Sequence, residues 1–84
     1  MIHNPTVSGG DTRIDNIIVN NYTNTDVRIN DIFIVPISRL DYVYPYGGSL
    51  ADLMEYFDVY AMSPFEINDV QAYIEGNNLR INVH

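Results

Sequence analysis

Short runs of β-branched residues, broken at intervals by turn-forming residues, restrict this chain to a small strand-rich fold. From Thr12 onward, Ile14, Ile17, Ile18 and Val19 lead into Asn20-Asn21-Tyr22-Thr23-Asn24, which reads as a strand followed by a turn. Val27, Ile29, Ile32, Phe33, Ile34, Val35 and Ile37 make a second β-rich stretch. Within it Asn30-Asp31 shifts the alternation and Pro36 removes a ladder donor, which predicts a bulge at the first and an edge or strand end at the second. Asn21-Tyr22-Thr23 has the form of a glycosylation sequon, but with no secretory signal ahead of it the tripeptide reads as part of the turn.

Tyr42, Tyr44 and Tyr46 alternate, so an extended backbone puts their rings on one face, with Pro45 favouring an exposed or edge position. Such a row is a candidate interaction surface or, alternatively, the cover of one side of a small core. Gly47-Gly48 is expected to break the strand, and Ser49 is a good N-cap for a helix over 49–57. Leu50, Leu53, Met54 and Phe57 recur at helical spacing on one face, while Asp52, Glu55 and Asp58 point away and form a candidate acidic face. The last third admits two readings. Ser63-Pro64-Phe65-Glu66 resembles a capping box and supports a second helix over 64–75. Val70, Ala72 and Ile74, then Leu79, Ile81 and Val83, alternate about Glu75-Gly76-Asn77-Asn78, which supports a hairpin. The hairpin is favoured because the final strand of a small β-rich domain needs a partner.

At 84 residues the chain can build one domain with a modest core. Residues 1–11 are rich in turn formers and read as a flexible arm, leaving 12–84 as a single mainly β (α+β, β-dominated) domain, a small antiparallel sheet or sandwich with one short helix. Catalytic side chains are scarce: there is no cysteine and no lysine, and the only histidines are His3 and His84. No interior base is present to activate a serine, so no catalytic residue is assigned and an enzyme is not expected. The oxygen-rich set Asp26, Asn30 and Asp31 lacks the glycine and terminal glutamate of an EF-hand, and the paired glycines lack a P-loop lysine. No metal ligand or cofactor site is assigned. A net charge of −7 with four scattered arginines argues against direct nucleic-acid binding, and no apolar run is long enough to span a membrane. Six of the eleven acids but one of the four arginines fall in 49–84, so a basic protein partner would dock on that half.

The opening Asn4-Pro5-Thr6-Val7-Ser8-Gly9-Gly10, the strand end Asn20-Asn21-Tyr22-Thr23 and the closing segment from Val70-Gln71-Ala72-Tyr73 to Leu79-Arg80-Ile81 resemble small β-rich proteins of tailed bacteriophages and prophages of gut bacteria. The resemblance covers the two ends better than the middle. It implies a small β-rich, virion-associated protein with no enzyme activity and assigns no functional residue, while the lack of a basic, apolar leader at 1–5 leads one to expect a protein made in the bacterial cytoplasm. Three functions are therefore expected in order. The first is a phage structural or assembly subunit (decoration, tail or baseplate accessory) that self-associates or binds other phage structural proteins. The second is an acidic inhibitor of a basic host protein through Asp52, Glu55 and Asp58. The third is a carbohydrate- or receptor-binding module using Tyr42, Tyr44 and Tyr46.

Overall fold

The structure is a computed structural model that describes residues 2–3, 7–30, 33–37, 41–55, 57–62 and 67–84. The elements follow in the order β1 (Ile2–His3), β2 (Arg13–Asn21), β3 (Val27–Arg28), β4 (Ile34–Val35), β5 (Asp41–Ser49), α1 (Leu50–Glu55), β6 (Val59–Ala61), β7 (Val70–Glu75) and β8 (Asn78–Val83). They form two four-stranded sheets, a larger one ordered β5-β2-β8-β7 and a smaller one ordered β1-β6-β3-β4. The fold is thus β-dominated with one short helix. Among the described residues no helix is long and apolar enough to cross a membrane.

Alternation decides the two faces of the larger sheet. Its register sets Tyr44, Ile17, Leu79 and Ile74 in one row across the four strands and Tyr42, Val19, Ile81 and Ala72 in the next. These rows face the core, where Ile17, Val19, Leu79 and Ile81 are buried together with Val27, Val35 and Val59 of the smaller sheet and Leu50 and Leu53 of α1. The opposite face carries a polar ladder. Asn20 donates from Nδ2 to Asp41, Arg80 donates to Asn20 Oδ1 at 2.9 Å and to Glu75 Oε1 at 3.2 Å, so side-chain bonds cross all four strands.

Most pairings are antiparallel, as alternation and short turns lead one to expect, but β2 and β8 run parallel. A parallel neighbour needs a long crossover. Here everything between residues 22 and 77 supplies it, a separation that no local pattern discloses. The β7–β8 pairing decides the last third in favour of the hairpin, with Glu75 opposite Asn78 across Gly76-Asn77. Gly76 has φ 63° and Asn77, like every other described non-glycine residue, does not have positive φ, which is the arrangement of a type II′ turn. The alternative helix over 64–75 is excluded where β7 lies, while Ser63, Pro64, Phe65 and Glu66 fall outside the described residues.

Three local expectations need correction. The stretch from Val27 to Ile37 is a hairpin rather than a bulged strand: Val27 pairs with Val35 and Arg28 with Ile34, and Ile29 N–H donates to Phe33 O at 2.9 Å. Asn30 turns the chain by accepting from Phe33 N–H at 3.1 Å, and Asp31 lies outside the described residues. Gly47-Gly48 does not end a strand. β5 continues to Ser49, and the register slips between Ile14 and Asn16, so that Tyr46 and Gly47 together oppose Asp15, with Gly47 at φ 72°, a conformation that glycine adopts without strain. Of the expected arm over 1–11, the described residues 2–3 and 7–11 do not stand apart from the domain. Ile2–His3 pairs with β6, and Gly10 O and Thr12 O accept from the first helical amides, Ala51 N–H at 3.2 Å and Leu50 N–H at 2.9 Å.

Asn21 joins the sheets. It is fully buried at the end of β2, donates from Nδ2 to Thr25 O at 3.1 Å and to Val35 O at 3.3 Å, and accepts at Oδ1 from Thr23 N–H at 3.0 Å and from the Thr23 hydroxyl at 2.6 Å. The sequon asparagine is therefore a turn-former whose amide nitrogen is committed to two carbonyls. Asn21→Ala leaves buried carbonyls short of a donor and is expected to destabilise the fold by about 2–3 kcal/mol. Urea unfolding measures this, and a change under about 0.5 kcal/mol, the range of an ordinary surface substitution, would show that the clamp is dispensable.

Candidate functional site

A half-open cleft of about 430 Å³ is lined by Tyr44 and Tyr46 of β5, Asp52, Leu53 and Glu55 on α1, Asp58, Tyr60 of β6, Arg28 of β3, and Asn30 and Phe33 from the β3–β4 turn. It lies where β5, the helix and the smaller sheet converge. Its volume is in the range of sites that hold a small molecule or a single large side chain.

The aromatic wall is built by strand geometry and one glycine. Tyr44 and Tyr42 project to the same side of β5 with ring centroids 6.5 Å apart and planes 20° from parallel, and Phe33 meets Tyr44 at 4.0 Å and 52°. Tyr46 lies over Gly48. A Cβ added to Gly48 would come within 2.9 Å of the Tyr46 ring, so the absent side chain is the seat of the phenol, whose hydroxyl donates to Ser49 O at 3.2 Å. On the opposite wall Arg28 and Tyr60 are directly paired across β3 and β6, and the guanidinium carbon sits 4.2 Å from the ring centroid, within cation–π range.

The carboxylates come from the helix and the segment after it. Ser49 caps α1 by accepting from Asp52 N–H at 3.2 Å, which orients the first turn. The helix ends at Glu55, two residues short of the expected limit. Asp58 therefore stands on the connection to β6, where its backbone N–H donates to Ile29 O at 3.0 Å, and does not share a helical face with Asp52 and Glu55. All three carboxylates are nevertheless exposed on one cleft. Leu50, Leu53 and Phe57 are buried as the apolar stripe requires.

The two candidate surfaces thus merge. Tyr44 and Tyr46 share the cleft with Asp52, Glu55 and Asp58, whereas Tyr42 packs against the core outside it. The tyrosine row is half-buried against the core and is not a free platform. Arg28, Phe33 and Tyr60 were not singled out from sequence as site residues, and Asn30 only as a bulge position and as part of a loose oxygen set. Alternation beside buried Val27, Ile29 and Val59 puts Arg28 and Tyr60 on the face opposite those residues, but only the β3–β6 register brings the two together. His84 stacks on Tyr22 at 4.8 Å and takes no part in the cleft. Among the described residues no cluster of three or more His, Cys, Asp or Glu side chains is arranged to hold a metal ion.

Compared with protein-family models, with curated proteins and with solved structures, the chain finds no match, so the reading of the cleft rests on its own geometry.

Burial, and secondarily the charge of Asp52, raise the pKa of the Tyr46 phenol above its ordinary value. The folded state then holds this proton more tightly than the unfolded chain. The corresponding stability is intact below the ordinary phenol pKa of about 10 and is lost as pH rises through the raised value. Asp52→Asn is expected to move the Tyr46 titration down part of the way, leaving the share due to burial. Phenolate absorbance, with Tyr46→Phe identifying the transition, measures the effect, and an unmoved titration would show that Asp52 is not felt at the phenol.

Proposed function

We propose that this chain is a non-enzymatic assembly subunit that docks a basic segment of a partner protein in the cleft. The observation that carries this reading is the union of four aromatic side chains, Phe33, Tyr44, Tyr46 and Tyr60, with three carboxylates, Asp52, Glu55 and Asp58, around one opening. Carboxylates at the mouth draw in a cation and set its orientation, and aromatic faces receive a guanidinium plane or the methylenes behind an ammonium. Arg28 over Tyr60 displays the same chemistry within the chain. With three acids against one guanidinium, the opening favours a cation over an anion.

Against catalysis stands the chain's own inventory, with no cysteine or lysine and its two histidines at residues 3 and 84. In the phage setting that the sequence resemblance implies, the partner is a basic structural neighbour in the particle or a basic host protein. The chemistry recognised is the same in both.

A fluorescently labelled peptide carrying four arginines, with lysine and glutamine versions alongside, tests the proposal. The arginine peptide is expected to bind most tightly, with affinity falling as salt rises. The combined change Asp52→Asn, Glu55→Gln and Asp58→Asn is expected to weaken it about 30-fold or more, corresponding to ~2 kcal/mol. Equal binding of the glutamine peptide, or full affinity in the triple variant with its circular dichroism intact, would sink the proposal.

A further inference from the structure

The larger sheet has two outer strands, and they are not alike. β5 is ill-suited to accept another strand, since Pro45 has no N–H to offer and the bulge at Gly47 bends the backbone. β7 has none of these protections. It is regular over six residues, contains no proline, glycine, lysine or arginine, and pairs with β8 along its whole length. Among the described residues it has a strand neighbour on one side alone.

The turn decides which groups face outward. In a hairpin closed by two residues, Glu75 and Asn78 form a hydrogen-bonded pair, and the pattern alternates from there. Gln71, Tyr73 and Glu75 therefore spend their backbone groups on β8. Val70, Ala72 and Ile74 direct theirs away from it, towards the open side.

We propose that a second copy of this chain pairs antiparallel with β7 about a two-fold axis at Tyr73, joining two four-stranded sheets into one continuous sheet. Paired residues must share a face, so the axis passes through a residue of β7 and the central choices are Ala72 and Tyr73. An axis at Ala72 would set Asp69 opposite Glu75 of the second copy, like charge against like. An axis at Tyr73 avoids this and sets Gln71 opposite Glu75, an amide opposite a carboxylate. On the core side it places Ala72 opposite Ile74, small against large, where both already pack at the margin of the core. On the outer side the two Tyr73 rings, each 41% exposed, meet one another. Outward backbone groups then pair as Ala72 with Ile74 in both directions. The cleft lies at the β5 end of the sheet, so the two surfaces can be occupied together.

The absence of native cysteine permits a direct test on the full chain. At the proposed axis the two Tyr73 Cα atoms form a non-hydrogen-bonded pair about 4.5 Å apart, a spacing that a disulfide spans. Tyr73→Cys is therefore expected to give a covalent dimer under mild oxidation, whereas Gln71→Cys, opposite Glu75 and remote from its own copy, is not. Light scattering on the unmodified protein is expected to give about twice 9.6 kDa. Gln71→Glu, a change at an exposed position, should raise the dimer dissociation constant about three- to fivefold by placing it against Glu75. A monomeric mass up to millimolar concentration would overturn the proposal, as would cross-linking of Gln71→Cys as readily as Tyr73→Cys.

Discussion

The parallel pairing of β2 with β8 is the constraint on which the rest of the architecture depends. β2 has a strand on both sides, and its Ile17 and Val19 rows continue directly into Leu79 and Ile81. These four side chains form the middle of the core, and each neighbouring element is placed by its relation to them. Because β8 (Asn78–Val83) comes last in the element order and β2 (Arg13–Asn21) second, the central contact joins strands distant along the sequence. Closing so long a loop costs entropy before any contact rewards it, a cost that the local β7–β8 hairpin does not carry.

Asn21 extends that constraint to the smaller sheet. At the end of β2 it binds both the turn that follows and the carbonyl of Val35 in β4, so one buried carboxamide carries the register of one sheet to the other. Asp26 works similarly on the far side of the turn, accepting Ile37 N–H at its carboxylate and Met62 N–H at its carbonyl. These polar side chains read from composition as turn residues or as a loose oxygen cluster. In the fold they are the fasteners that let short strands of two and three residues hold their positions.

The cleft is a consequence of the same join. Two sheets of unequal size leave an opening where β5 outruns the smaller sheet, and the short helix closes one side of it. The bulge at Gly47 and the missing side chain at Gly48 let Tyr46 fold over its own strand and thus form the wall. A binding surface at one end of the sheet and an open edge at the other would make a two-fold assembly with two clefts far apart. With the proposed dimer and the proposed cleft binding together, such an arrangement would bind a repetitive basic partner more tightly than either cleft alone.

Much of this was legible in the sequence, for identifiable reasons. Alternation at 70–75 and 78–83 with Gly76-Asn77 between them is a local signal, because only two residues and one positive φ are needed to reverse the chain. Ser49 as N-cap and the buried Leu50, Leu53 and Phe57 are equally local. The end of α1 at Glu55, the reversal after Asn30 and the bulge at Gly47 were misread because each depends on what the segment packs against. The Tyr and Asp/Glu sets were visible as separate faces, but nothing in their spacing says that Tyr44 and Asp58 border one opening. Sequence alone determined the strand-rich character, the turns and the poverty of catalytic groups, since these follow from residue type and nearest neighbours. Tertiary structure decided the parallel β2–β8 contact, the Arg28–Tyr60 pair and the cleft, since each joins residues whose separation along the chain carries no periodic trace.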